Sequence, residues 1–212
     1  KWNRTGERSI GFLRDLAGAF GITAGIGLFV QIGKDIFDTT KELQSLDMAL
    51  KQVTETQSNF QQQQLFLKRI SEDYGVELNS LTKQFTQFYV SAKDKISGTE
   101  IQKIFESVTK AGASMGLTVE NQERAFLALN QMMSKGTVQA EELRGQLGEA
   151  LPGAFGIMAK ALNVNEQQLG KMMKDGKLLA SDVLPKFAKQ LEITYGIENV
   201  KRIDNIANAQ NR

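Results

Sequence analysis

The chain has 212 residues, enough for one large or two small domains, and its 26 Lys and Arg against 24 Asp and Glu leave a formal net charge of +2. So even a balance points neither to a nucleic-acid binder acting over the whole chain nor to an acidic tail. Cysteine and histidine are both absent, which excludes disulfides, thiol catalysis, thiolate metal sites, and imidazole-based triads and zinc centres.

Two prolines, with Gln, Glu, Lys, Leu and Ala abundant, favour helix nearly throughout. The first 40 residues differ from the rest. Between Asp15 and Lys34 the run LAGAFGITAGIGLFVQIG carries no charge over 18 positions, about 27 Å as a helix and just short of a bilayer core. Gly21 and Gly25 form a GxxxG pair with Phe29 one turn on, a pattern that lets another helix approach closely. Three readings stay open: a helix packed on protein partners, a segment able to enter a membrane, and a buried core helix. A signal peptide fits poorly, because no basic leader and small-residue cleavage site frame the run.

Next, KELQSLDMALKQVTE places Leu43, Leu46, Leu50 and Val53 at a 3-4-3 spacing. This predicts either a short coiled-coil seam or one amphipathic helix lying on a core. In NFQQQQLFLKRISEDYG, Asn59 and Gln62 are spaced for a capping box, ahead of Leu65, Phe66 and Ile70.

From Gly75 onward the punctuation is regular. GVE at 75–77, GLT at 116–118 and NVN at 163–165 repeat one chemistry. Gly75, Gly116 or Asn163 takes the left-handed position that ends a helix, the next residue packs back on it, and a polar residue caps the following helix. Of those caps Glu77 is the weakest by type. Ser97 and Glu100 are spaced for another capping box, before Ile101, Ile104, Phe105, Val108 and Met115 at helical intervals.

Two stretches then write one pattern twice, LNQMMSKGTVQAEEL at 129–143 and LGKMMKDGKLLASDV at 169–183. They align without a gap, sharing Leu, both Met residues, Gly and Ala. Each predicts a helix ending on a Met pair, a stop at Gly136 or Gly176, a tucked Val138 or Leu178, and a new helix with an acidic first turn at Glu141–Glu142 or Asp182. The expected product is a helical layer of quasi-repeating corners. Between the copies, Pro152 is placed for the first turn of a helix carrying Phe155, Met158, Ala159 and Leu162. Gly145, Gly148, Gly153 and Gly156 are too close together for a long helix and point to a bent connection or very close packing.

No constellation carries chemistry. Glu141, Glu142 and Glu149 read as caps and solvated acids, GEALPG lacks the Lys and Ser/Thr of a phosphate loop, and the Met pairs read as core. Lys171, Lys174, Lys177, Lys186 and Lys189 form the one basic concentration, compatible at most with nonspecific DNA contact. Catalytic, cofactor-binding and metal residues are all expected to be absent.

The stretch GTVQAEELRGQLGEALPGAFGIMAKALNVNEQQLGKMMKDGKLLASDVLPKFAKQL resembles the N-terminal conserved domain of tape measure proteins from long-tailed bacteriophages and prophages. Gly136 to Leu191 match the pattern most closely, and the resemblance extends back to YGVELNSLTKQFTQFYVSAK at Tyr74–Lys93. Asn163 stands where glycine is commoner in that pattern. The resemblance implies a structural protein of the virion tail lumen, made in the bacterial cytoplasm, that sets tail length, supports tube assembly and is ejected ahead of the genome. It implies own copies, tail tube, tail assembly chaperone and tail-tip proteins as partners, with no family catalytic residue in this stretch. The alternatives are a membrane-active segment that touches the host envelope transiently during DNA passage, and a helical DNA-binding protein. The expected fold is all-α: a multi-helix domain of short Gly-capped helical hairpins, preceded by a longer apolar and amphipathic helical region. The expected divisions are 1–40 (apolar segment), 41–74 (amphipathic arm), 75–195 (compact domain) and 196–212 (start of a polar linker). The chain starts at Lys1 without methionine and ends in polar NIANAQNR, and so reads as a piece of something longer.

Overall fold

The structure, a computed structural model, describes residues 45–196. The run containing Gly21, Gly25 and Phe29, the Leu43 position and the polar residues from 197 onward lie outside the described residues. By packing, the chain divides into Lys1–Met48 and Ala49–Arg212. The helices from Gln57 onward belong to the second unit.

The described residues are all-α, as composition and turn spacing predict. Residues 45–54 are helical (α1), followed by α2 (Gln57–Tyr74), α3 (Leu78–Ala92), α4 (Gly98–Ser114) and α5 (Val119–Lys135). A π-helical segment, Glu141–Leu147, then runs straight into the single turn α6 (Gly148–Ala150). Three further helices complete the described chain: α7 (Ala154–Ala161), α8 (Glu166–Lys174) and α9 (Ala180–Thr194).

Side-chain caps set most helix starts. Ser97 and Glu100 form a reciprocal capping box on α4, Thr118 caps α5, and Asn165 with Gln168 forms a second box on α8, each satisfying amides that the first helical turn leaves without partners. Glu77, weakest by type, accepts from two amides at once, Asn79 N (3.0 Å) and Ser80 N (2.7 Å). One expected box is absent. Thr56 rather than Asn59 caps α2, its hydroxyl accepting from Asn59 N at 3.2 Å. Asn59 instead sits inside the first turn, where its side-chain amide donates to the Thr54 carbonyl (3.1 Å) and Tyr89 Oη (2.9 Å). A Thr three residues earlier serves as cap, which frees the Asn to tie α2 to α3. Pro152 is also displaced from its expected place. It lies in the turn before α7, whose N-cap is Gly153 at φ +86°, because the chain must reverse sharply there and only Gly takes that φ without strain.

α4 is the centre of the packing, touching α2, α3, α5 and α9, while α3 also lies along α5 and α9 along α7. Ile101, Ile104, Phe105, Val108 and Ala111 on α4 are fully buried or nearly so. Four phenylalanines, one from each of α2–α5, make a continuous row. Phe66 and Phe85 have ring centroids 5.5 Å apart, Phe85 meets Phe105 edge-on at 5.1 Å, and Phe105 stacks on Phe126 at 4.3 Å, arrangements that aromatic quadrupoles favour. α1 contributes Leu50, wholly buried, with Val53 packed beside the core.

Candidate functional site

The glycines and the asparagine singled out at the helix junctions all occupy the left-handed region. Gly75 has φ +66°, Gly116 +66°, Gly136 +78°, Gly176 +64° and Asn163 +55°. Gly116, Asn163 and Gly176 close their helices in one way. The amide after each donates to the carbonyl five residues before it: Leu117 N to Gly112 O (2.9 Å), Val164 N to Ala159 O (3.0 Å) and Lys177 N to Met172 O (3.0 Å). Gly136 closes α5 more simply, donating to Met132 O at 2.9 Å. Val76, Leu117 and Val164, the apolar residues after these stops, pack against the core.

The two similar stretches, 129–143 and 169–183, meet face to face. Val138 N donates to Leu178 O and Ala180 N to Gly136 O, both at 2.9 Å, forming one isolated antiparallel bridge between Thr137 and Leu179. Val138 thus lies opposite Leu178, its own counterpart in the alignment, and both are buried. Within the expected layer of quasi-repeating corners, the two copies thus pair directly with each other. The physical reason is that each corner leaves a short extended segment with open backbone groups, and a segment like itself supplies the complementary ones. The Met pairs lie beneath: Met132, Met133 and Met173 are buried and Met172 is partly buried.

The restarts after the two corners are not alike. The second enters α9 directly, with no side-chain cap at Leu179. The first enters the π-helical segment, where Gly148 N reaches Leu143 O. A Cβ at Gly148 would sit 3.3 Å from that carbonyl oxygen, so the wide turn is matched to a residue without a side chain. Glu142, read from sequence as a solvated first-turn acid, has no exposure at all and accepts a hydrogen bond from Lys135 across the Gly136 turn. That bond, with the charges of Glu142 and Glu141, holds the Lys135 ammonium above its ordinary pKa against a smaller opposing effect of desolvation. Glu141 is exposed and 4.0 Å from the same Lys135, and Glu149 pairs with Arg124 at 2.8 Å. Lys95, from the turn after α3, donates to the Met133 and Ser134 carbonyls at the end of α5, a favourable place for a cation.

Two further polar ties join helices. Arg69 on α2 forms a two-pronged pair with Glu106 on α4, both contacts 2.7 Å, and Tyr74 Oη donates to the same carboxylate at 3.1 Å. Burial pushes the Glu106 carboxyl up, but Arg69, Tyr74 and Lys110 together hold it below its ordinary value. Burial first, then the charge of Glu106, pushes the Tyr74 phenol above its ordinary range. On the other side of α4, the nearly buried Lys110 donates to Glu192 of α9 at 2.8 Å, and Ser107 donates to its other oxygen at 3.1 Å. These long-range pairs have no signature in local spacing. Lys135–Glu142 does have one, since a glycine stop between residues seven apart brings them together.

What the arrangement does is hold helices in place. Its carboxylates face cations rather than one another, and among the described residues no group of three or more acids forms a metal-binding cluster. Lys171, Lys174, Lys177, Lys186 and Lys189 are exposed, with Lys177 next to Asp175 at 3.2 Å. Among the described residues no helix is long and apolar enough to cross a membrane.

Comparison with known proteins places this architecture. Residues 34–203 match the family described as tape measure protein. A protein of Salmonella phage Felix O1 (isolate Felix O1-VT1), named "Probable tape measure protein", is 31% identical over 185 residues, 87% of this chain and 24% of that protein. The chain therefore spans about a quarter of that relative's length. No solved structure matches it. The family match runs through every helix from α2 to α9, and the chain belongs to the tape measure protein family.

Proposed function

We propose that the packed helices 57–194 are the head of a molecular ruler, whose remaining length sets the length of the tail while tube subunits assemble around it. In this reading the head holds copies of the chain and tail-assembly partners together at one end, and the protein leaves the particle ahead of the genome. The observation that carries it is the coincidence of two spans. The family match at 34–203 encloses the whole run of packed helices, so what relates this chain to tape measure proteins is the folded unit and not an isolated motif. The polar groups support a holding role, because Lys110, Glu106, Glu142 and Lys95 are all spent on ties between elements.

A ruler built of helix has a fixed scale of about 1.5 Å per residue. In a phage carrying the parent gene, in-frame deletions outside residues 34–203 are expected to shorten the tail in proportion to the residues removed, as measured by electron microscopy. Tails of unchanged length would overturn the ruler reading. Substitutions that unfold the head, such as Phe105→Ala, are expected to reduce the number of assembled tails without changing the length of those that form.

A further inference from the structure

We propose that residues 137–153, from the first corner to the turn before α7, form an opening unit that separates from the domain while the α2–α5 core stays folded. Four independent observations converge on this segment. It contains seven consecutive residues of π-helix, a wide geometry that is rare and usually confined to single turns inside α-helices. It carries two of the five buried side-chain polar atoms that lack a hydrogen-bond partner among the described residues, Glu142 Oε2 and Gln146 Oε1, four residues apart; the other three lie singly on α3, α4 and α5. Its backbone is tied to the second corner by one hydrogen bond, Val138 N to Leu178 O, with the bridge's other bond accepted by Gly136 just before the segment. Finally, its π-helix and α6 pack on α5, and the π-helix also on α7, with no substantial contact to α4.

These features set an order of disassembly. Leu143, Leu147, Ala150 and Leu151 are fully buried and hold the segment down through apolar contact. The wide turn and the half-satisfied carboxylate work against them, since a buried acceptor without a donor regains one as soon as water reaches it. α4 carries no such weakness apart from Ser114 Oγ at its last residue. The segment therefore opens at lower free energy than the core, as a unit bounded by the bridge at one end and Gly153 at the other. Opening uncovers Met132, Met133, Val138 and Leu178, an apolar strip that the closed form hides.

The chain has no cysteine, which makes a clean lock available. Thr137 and Leu179 are a non-hydrogen-bonded antiparallel pair, whose Cα atoms sit about 4.5 Å apart in regular geometry, within the range a disulfide spans. Leu179 is exposed and Thr137 partly so, and T137C/L179C removes no core contact. The test is native-state hydrogen exchange on the full chain. In the unmodified protein, the amides of Leu143, Leu147 and Leu151 are expected to exchange at least ten-fold faster than those of Ile104, Phe105 and Val108. Oxidised T137C/L179C is expected to slow the first set at least ten-fold more than the second, with reductant reversing the effect. Lys135→Met, which leaves Glu142 buried without its cation, is expected to speed the first set alone. Equal exchange of the two sets in the unmodified protein would overturn the proposal, whether or not the double-cysteine variant folds. So would an oxidised variant whose first set exchanges as fast as in the reduced form.

Discussion

A methyl group added at Gly136 would touch nothing, because no atom lies within 4 Å of the place its Cβ would occupy. The cost of Gly136→Ala is therefore purely that of holding an L-residue at φ +78°, about 1–2 kcal/mol. Gly176→Ala, equally open and at φ +64°, is expected to cost the same, whereas Asn163→Gly is expected to stay within about 0.5 kcal/mol because glycine adopts that φ freely. Equilibrium denaturation with unchanged m-values checks all three, and an Ala variant as stable as the parent would show that the junction does not depend on its glycine. At this scale the junction residues were legible, since a left-handed stop, an apolar residue and a cap are local and repeat. Glu142 was not. An acid after a turn reads as solvated, and only the folding of the Gly136 corner onto Lys135 encloses it.

Between elements the informative tie is Arg69–Glu106, which joins α2 to α4 with Tyr74 as a third member. Glu106 titrates below its ordinary value in the folded protein. Its contribution to stability is therefore complete above the unfolded carboxylate value of 4.5 and is lost as pH falls through the lower folded value. Acid titration of the unfolding free energy is expected to fall below about pH 4.5 and to fall less steeply in Glu106→Gln. Parallel curves for the two proteins would exclude Glu106 as a source of acid sensitivity. The helices themselves were readable from apolar spacing and from caps such as Ser97–Glu100. The π-helical segment was legible only as a bend or close packing at Gly145 and Gly148, not as a widened turn, in which a Cβ at Gly148 would crowd the Leu143 carbonyl oxygen at 3.3 Å. The corner repeat was visible as an echo, but its pairing was not, since alignment shows that two segments are alike and says nothing about whether they touch.

For the molecule as a whole, α4 and the row of four phenylalanines are the common core. Phe105 contacts Phe66, Phe85 and Phe126, so Phe105→Ala is expected to cost about 3–5 kcal/mol and to lower the unfolding midpoint of all helices from α2 to α9 in one transition. A variant that lost α2 alone would contradict that single-core account. All-α class followed from composition, but the central place of α4 did not, because apolar periodicity marks a buried face without saying how many neighbours cover it.

The ring row has one more consequence. Its four members come from helices consecutive in the chain, and nothing beyond Lys135 is needed to close it. During synthesis the aromatic centre can assemble from short-range contacts as soon as that stretch leaves the ribosome. The flank of α4 that α9 covers stays bare until the last described helix emerges, so the order of translation builds the heart of the molecule before its outer wall.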